Sequence, residues 1–285
     1  MERVHRLHAH LCSATMTTED AAAVVLSSVV DGVCVITLHR PERGNAYTNQ
    51  MMVEYFNSLH AANRDPAVRA IVVTGTGAMF CVGADKDMLS GVSGNTRVPD
   101  DFDVAQCQAL ELDKPVIGAI QGPAAGLGMV TALMCDVRFG CAKTKFSTAF
   151  AKRGLIAEHG IAWVLPRVVG TARAMDLLVS SRVVGAAEAR EMGLLNFLCA
   201  SPEDCLRDAV AYAREAAAQC SPAALAEIKR QIYEDTGGVR ADTTRAYALM
   251  QQSFRHPDFP EGVRSLVHKT APAFKGLAAG RIREL

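Results

Sequence analysis

The stretch RGLIAEHGIAWVLPRVVG, residues 153–170, places one acid and one imidazole, Glu158 and His159, in a run that is otherwise apolar except for the arginines near its two ends. A carboxylate in such surroundings costs free energy unless it is paired, solvated or used in chemistry. Glu158 is therefore a candidate general base, and His159 is a second candidate for the same role. The alternative for Glu158 is structural, because a carboxylate also stabilises the N-terminal end of a helix that begins near Gly160.

Two loops rich in glycine and alanine could bind an anion or an anionic intermediate. In the first, VVTGTGAMFCVGAD (72–85), Phe80 stands where the dinucleotide fingerprint needs glycine or alanine. The second, GPAAGLG (122–128), is not followed by the Lys-Ser/Thr pair of a phosphate-binding loop. With dinucleotide and phosphate binding disfavoured, these loops could still direct two backbone N–H groups at one substrate oxygen. Such donors would stabilise an enolate or a tetrahedral intermediate. The alternative is a pair of tight turns packed for shape.

The elements that must position these residues follow from the apolar pattern. Asp31-Gly32 between two apolar runs predicts a hairpin, and a helix is expected near residues 49–63. Strands are predicted in AVRAIVVTG and KPVIGAIQG, followed by an apolar helix at Gly126–Cys135 and two short strands in CDVRFGCAKTKFSTA. From Gly160 onward the pattern predicts mostly helices, two of them starting at Ser201-Pro202 and Ser221-Pro222. This order predicts a single α/β domain with helices appended.

Composition excludes several classes of function. Thirty Lys and Arg balance thirty Asp and Glu, and no charged block stands out, so the chain is not predicted to bind nucleic acid. No apolar run approaches the ~18 residues of a membrane span. Nine cysteines at irregular spacing predict free thiols in a reducing cytoplasm rather than disulfides or a metal site. Residues 1–22 lack periodicity and an apolar signal segment, and we expect a disordered tail there.

Four segments carry a family resemblance: RPERGNA, AIVVTGTGAMFCVGADKDML, KPVIGAIQGPAAGLGMVTALMCDVRFG and EGVRSLVHKTAPAF. Together, from about Val24 to Lys275, they resemble the crotonase superfamily of enoyl-CoA hydratases and isomerases. The resemblance implies an α/β crotonase (ClpP-like) superhelix of ββα units over about residues 23–200. It also implies a helical region over about residues 201–285 that trimerises, with hexamers built as dimers of trimers. The implied substrate is an acyl-CoA thioester of fatty-acid metabolism, with coenzyme A as part of the substrate and no separate cofactor.

The same resemblance assigns the binding residues. The oxyanion-hole amides fall on Ala84 and Leu127, and neither role uses the side chain. Contacts with CoA are expected from two groups of residues. The 82–88 loop supplies Val82, Asp85, Lys86 and Met88, and residues outside the loop supply Arg43, Ala46 and Lys269. For Arg43 and Lys269 a solvated surface charge is the alternative. The segment Leu89–Asp103, rich in Gly, Ser and Asp, is expected to form a mobile wall of the pocket.

The sequence departs from the hydratases of this family at both of their catalytic glutamates. Those positions are Val130 and Phe150 here, so two-glutamate hydration is not available, and both side chains are expected to line the acyl pocket with His159. In the peroxisomal-type Δ3,Δ2-enoyl-CoA isomerases the lone glutamate occupies the place of Glu158. The resemblance therefore predicts an isomerase in which Glu158 moves a proton in a pocket poor in water. Other enolate chemistry, including hydration, and a non-catalytic acyl-CoA binder are the alternatives.

Overall fold

A six-stranded sheet forms the centre of the fold in the computed structural model, which describes residues 23–90, 106–234 and 257–275. Its strands stand in the order β1 (Val25–Val30), β2 (Val33–Leu38), β3 (Ala70–Gly75), β4 (Val116–Ile120), β6 (Val137–Cys141) and β9 (Phe197–Cys199). The first pair is antiparallel and the others are parallel. The α/β prediction is confirmed.

A tight turn joins β1 to β2. Asp31 and Gly32 both have positive φ, 52° and 76°, as a two-residue hairpin of the favoured hand requires. The hairpin predicted from this pair is therefore confirmed, in the register Val30↔Val33.

Alternate residues of the parallel strands face two separate apolar cores. On β3, Ile71 and Val73 join the larger core, whereas Ala70 and Val72 face the smaller one. Because both faces are covered, β3 is buried along its whole length, which explains its continuous apolar sequence.

Ten helices within residues 23–90, 106–234 and 257–275 surround the strands. They are α1 (Asn49–Arg64), α2 (Lys86–Ser90), α3 (Gln108–Glu111), α4 (Leu127–Leu133), α5 (Ile161–Val169), α6 (Thr171–Ser180), α7 (Ala186–Glu191), α8 (Pro202–Gln219), α9 (Pro222–Tyr233) and α10 (Asp258–His268). The smaller core is closed by α8, whose Cys205, Ala209 and Ala213 are fully buried against the sheet. Small side chains at this spacing let the helix approach the strands closely.

The starts of α8 and α9 were predicted correctly. Ser201 Oγ accepts a hydrogen bond from Asp204 N at 3.0 Å, and Ser221 Oγ accepts one from Ala224 N at 3.1 Å. Each serine thus caps a helix whose first residue is proline.

The prediction of mostly helices after Gly160 was incomplete. Two short strands interrupt that region, β8 (Val184–Gly185) and β9. The first pairs with β7 (Lys145–Ser147), which itself pairs with β5 (Ala124–Ala125) in a small second sheet. Strands of two or three residues carry no readable periodicity, because their pairing partners rather than their own sequence define them.

Parts of the earlier predictions lie outside the described residues. These are the tail at residues 1–22 and residues 91–103 of the expected pocket wall. Among the described residues no helix is long and apolar enough to cross a membrane, and no group of three or more His, Cys, Asp and Glu is placed to hold a metal ion.

Candidate active site

Two glycine-containing loops leave neighbouring strands at the same edge of the sheet. The first follows Gly75 at the end of β3, and the second follows Ile120 at the end of β4. Since β3 and β4 are parallel, their carboxyl ends lie side by side. Backbone hydrogen bonds then join the loops: Cys81 N donates to Pro123 O (3.2 Å), and Ala125 N donates to Cys81 O (3.0 Å). The carboxyl ends of parallel strands are where ligands bind in α/β folds of this type.

Glycine is required where the two loops touch. A Cβ on Gly128 would lie 2.0 Å from the carbonyl oxygen of Cys81. A Cβ on Gly83 would lie 2.8 Å from Ala125 O and 3.5 Å from Leu127 N. The Leu127 amide therefore lies against Gly83, the residue directly before Ala84, and the two predicted oxyanion donors stand in contacting backbone segments.

The backbone around Ala84 fixes the direction of its N–H. Tyr47 N donates to Gly83 O at 2.7 Å, and Asp85 N donates to Tyr47 O at 2.8 Å. Both neighbours of Ala84 thus bond to Tyr47, so in this parallel bridge the N–H of Ala84 points away from Tyr47.

The Leu127 amide is the second donor. Leu127 is the first residue of α4, so its N–H has no acceptor within the helix. In the described part of the chain, neither Ala84 N nor Leu127 N donates a hydrogen bond to another protein group. Two such amides in adjoining loops can serve one substrate oxygen.

Buried apolar side chains fill the two positions that the sequence resemblance equates with the hydratase glutamates. Val130 lies one turn into α4, and Phe150 begins the short 3-10 helix Ala151–Arg153. Both belong to the larger core. Neither can take or give a proton.

Glu158 and His159 lie in the turn that leads into α5. His159 is buried and has a positive φ of 56°, and its Nε2 lies 3.8 Å from Glu158 Oε2. The Glu158 side chain is 31% exposed. The N-cap position of α5 belongs to Gly160, and the backbone carbonyl of Glu158 accepts a hydrogen bond from Ile161 N.

A cavity of about 480 Å³ lies beside this turn. Gly160, Trp163 and Val164 line one wall of it, and Met134, which ends α4, lines another. Polar side chains of α3 and α9, among them Glu111 and Arg230, also border it. The cavity adjoins the segment that carries Glu158 and the end of the helix that begins at Leu127.

Three of the residues predicted to contact CoA are linked by one charged network. Arg43 donates to Asp85 (3.0 Å) and to Asp87 (2.5 Å), and Arg40 joins Asp85 to the carbonyl of Ala46. Arg43, the N–H of Asp87 and Arg40 together hold the pKa of the Asp85 carboxyl well below its usual range. Arg43 is thus bound to two carboxylates, and its role toward a CoA phosphate stays a prediction.

The other predicted CoA residues are less closely grouped. Val82 packs on Gly44, where a Cβ would lie 3.0 Å from Val82 Cγ1. Lys86 and Met88 lie on α2, with Lys86 exposed. Lys269 is exposed at the end of α10, and no hydrogen bond or ion pair among the described residues joins its side chain to this group.

Comparison with known proteins identifies the family. The sequence model of the enoyl-CoA hydratase/isomerase family matches residues 29–277. The chain belongs to the enoyl-CoA hydratase/isomerase family. It is 34% identical to the 1,2-epoxyphenylacetyl-CoA isomerase of Escherichia coli strain K12 over 262 residues, covering 88% of this chain and 98% of that protein. It is 30% identical to an enoyl-CoA hydratase of Alternaria alternata over 248 residues, covering 86% and 83%.

A solved structure gives the same assignment. The crystal structure of an enoyl-CoA hydratase from Polaromonas sp. JS666 matches with a TM-score of 0.80 and 28% identity, over 88% of this chain and 99% of that one. The crotonase fold predicted for this member of the enoyl-CoA hydratase/isomerase family is therefore confirmed. The relatives include both isomerases and hydratases, so membership of the family does not select the reaction.

Sequence reasoning missed two residues of the site, Arg40 and Asn45. Both stand in the RPERGNA segment, but their partners at residues 76–85 are more than thirty positions away. The local signal in the sequence was the residue type of Asn45 itself. Asparagine tolerates positive φ better than most residues, and Asn45 has a φ of 55°.

Proposed function

We propose that this enzyme of the enoyl-CoA hydratase/isomerase family shifts the double bond of a 3-enoyl-CoA to the 2-position. The observation that carries the proposal is the placement of acid–base groups: Val130 and Phe150 carry none, whereas Glu158 is a carboxylate next to His159. The sequence resemblance equates the first two positions with the hydratase glutamates and Glu158 with the lone isomerase glutamate. One carboxylate is enough for a double-bond shift, because the group that removes a proton can return it.

The proposed reaction has two proton transfers. The thioester oxygen binds to the N–H groups of Ala84 and Leu127, which makes the C2 proton more acidic. Glu158 takes that proton, and negative charge moves to the thioester oxygen, where the two amides stabilise it. Protonated Glu158 then gives the proton to C4, and the double bond comes to rest between C2 and C3.

The proposed substrate is an acyl-CoA thioester, with the acyl chain directed toward the cavity beside Gly160. The relatives named for phenylacetyl-CoA and enoyl-CoA chemistry support this class of substrate. We also propose a cytoplasmic location, supported by the thiols of the described cysteines, all of which are free.

Hydration of a 2-enoyl-CoA is the second candidate. The 31% exposure of the Glu158 side chain would let water reach it, and His159 could serve as the second acid–base group. The hydratases among the relatives support this candidate as well.

The test is incubation with a panel of 2-enoyl-, 3-enoyl- and 3-hydroxyacyl-CoAs, with products separated chromatographically. Isomerisation of 3-enoyl-CoA without accumulation of the 3-hydroxy product supports the proposal, and the reverse pattern supports hydration. Binding of acetoacetyl-CoA by calorimetry without turnover of any thioester would favour a non-catalytic binder. Binding of NAD but not of a CoA thioester would contradict all three.

We further propose that the chain assembles as a trimer or hexamer. Its support is a set of exposed apolar side chains, Ile156, Met175, Val179 and Val183. Met175 and Val179 are one turn apart on α6 and therefore share a face. Exposed apolar side chains that share a helix face are typical of protein interfaces.

A further inference from the structure

We infer that Arg40, Asn45 and Asp85 are positioning residues for the N–H of Ala84. They fix the loop of residues 76–85, named here the oxyanion loop, against the segment Asn45–Tyr47. The inference rests on the proposed role of Ala84 in binding the thioester oxygen. It assigns Asp85 to the geometry of the reaction rather than to contact with CoA.

Asp85 fastens the loop directly after Ala84. Its carboxylate is buried and accepts hydrogen bonds from Arg40 Nη1, Arg43 Nη2 and the N–H of Asp87, each at 3.0 Å. A buried carboxylate with three charged or backbone donors is held in one place, because any displacement would leave it unpaired. The low pKa of Asp85 keeps it charged across the neutral range.

Arg40 connects Asp85 to the segment against which Ala84 is bridged. Its Nη1 donates both to Asp85 Oδ2 and to the carbonyl of Ala46, the latter at 2.6 Å. The next residue, Tyr47, makes the two backbone hydrogen bonds on either side of Ala84. The peptide that carries the Ala84 N–H is therefore held against residues 46 and 47 in two ways. The backbone on either side of Ala84 bonds to Tyr47, and the Asp85 side chain is linked to Ala46 through Arg40.

Asn45 fastens the other end of the oxyanion loop. Its side chain is fully buried, and Nδ2 lies 2.7 Å from Met79 O, 3.0 Å from Thr76 O and 3.2 Å from Phe80 O. Its Oδ1 accepts a hydrogen bond from Arg40 N at 2.9 Å. Asn45 thus links the start of the oxyanion loop, at Thr76, to Arg40, which bonds to Asp85 at the end of that loop.

Such fastening matters more for the transition state than for binding. An oxyanion donor is effective only where it already lies at hydrogen-bond distance from the oxygen on which charge develops. A loosened loop would lower the polarisation of the thioester carbonyl, whereas the remaining contacts with the ligand would stay. We therefore expect a loss in kcat with little change in affinity.

The experiment measures polarisation without turnover. A para-dimethylamino cinnamoyl-CoA thioester absorbs at longer wavelength when its carbonyl oxygen is polarised, so the band shift on binding reports the oxyanion hole. Asp85→Asn removes the charge at nearly constant size. The expected result is a band shift less than about half that of the wild type, with kcat for 3-enoyl-CoA lower by about tenfold or more and KM within about threefold.

A second variant and a matched control separate positioning from stability. Arg40→Lys keeps a positive charge, but the lysine side chain ends one bond short of the Nη1 position that donates to both Asp85 Oδ2 and Ala46 O, and the same reduced band shift is expected. Arg182→Ala removes ion pairs of similar length, 2.8 Å to Asp176 and 2.6 Å to Glu188, away from the loop, and should leave the band shift unchanged. If Asp85→Asn does not fold, the band shift measured with Arg40→Lys tests the inference.

A full band shift in Asp85→Asn or Arg40→Lys, measured on folded protein, would overturn the inference. If the wild type binds the thioester without any band shift, the oxyanion proposal fails and the positioning inference with it. If the wild type shifts the band but does not isomerise 3-enoyl-CoA, only the proposed reaction fails, and the comparison of the variants still decides the inference.

Discussion

At the scale of single residues, the proposed reaction separates binding of the thioester oxygen from transfer of the proton. The first task falls to backbone N–H groups, which do not titrate and need no particular side chain. The second falls to Glu158 or His159, which are adjacent, with Glu158 Oε2 and His159 Nε2 3.8 Å apart. A change at the side chain that transfers the proton should therefore alter the rate without removing the ligand.

The exchange Glu158→Gln tests the base directly. It keeps the size of the side chain and removes the basic oxygen, so isomerisation of 3-enoyl-CoA should fall by the ~10²–10⁴-fold that loss of a general base typically costs. Affinity for a CoA thioester, measured by calorimetry, should change little. His159→Ala is the paired control and should keep most of the activity. Activity that survives Glu158→Gln but is lost in His159→Ala would make the imidazole the base.

Hydration is the second reaction to be measured at this scale. With Val130 and Phe150 at the two glutamate positions, crotonyl-CoA hydration should be feeble, well below the typical turnover of ~10 per second. The decrease in absorbance of the conjugated thioester reports the rate. A robust rate would mean either that Val130 and Phe150 do not occupy the glutamate positions or that Glu158 serves both proton transfers of hydration.

At the scale of elements, a buried lysine joins α1 to β4. Lys114 precedes β4, and its Nζ donates to the carbonyls of Ala62 and Asp65 at the end of α1, at 2.7 and 2.5 Å. Burial lowers the pKa of Lys114 to about 8, although Asp65 and Asp113 oppose the shift. The charged form is thus costly, and the two carbonyls offset only part of that cost.

The lowered pKa predicts a dependence of stability on pH. Between about pH 8 and the ordinary lysine value near 10.4, the unfolded chain keeps a proton at Lys114 that the folded protein has lost. Stability from this group therefore rises with pH across that window. The free energy of unfolding of the wild type, relative to Lys114→Met, should increase by on the order of 2 kcal/mol from pH 7 to pH 10, measured by urea denaturation. Exposed Lys143→Met, as control, should show a flat difference, and a flat difference for Lys114→Met would contradict the lowered pKa.

Local signals explain which elements could be predicted. The hairpin at Asp31-Gly32 and the helices after Ser201 and Ser221 depend on neighbours within four residues, so the sequence pattern was sufficient. The strands β8 and β9 and the contact between Arg40 and Asp85 depend on partners distant in the chain. No local pattern could have revealed them. The oxyanion positions were predicted from the family resemblance alone, because Gly and Ala in a loop are equally compatible with a tight turn.

At the scale of the whole molecule, the exposed apolar face of α6 is a feature that a lone chain leaves unexplained. Val179 is 69% exposed and Met175 is 56% exposed. Water is an unfavourable solvent for such a face, at roughly 25 cal/mol for each Å² of apolar surface left uncovered. A symmetric assembly would cover it.

Light scattering at micromolar concentration should therefore give three or six times the mass of the single chain. Val179→Asp places a charge in the centre of the face, where burial without a partner would be costly, and should shift the protein toward smaller species. The matched control is Val29→Asp on the edge strand β1, where the valine is also exposed, and its assembly should match the wild type. A monomeric wild type would contradict the proposed assembly. If an interface lies on α6, Val179→Asp should weaken the assembly and Val29→Asp should not. Dissociation of both variants would show instead that added negative charge, rather than the α6 face, governs association.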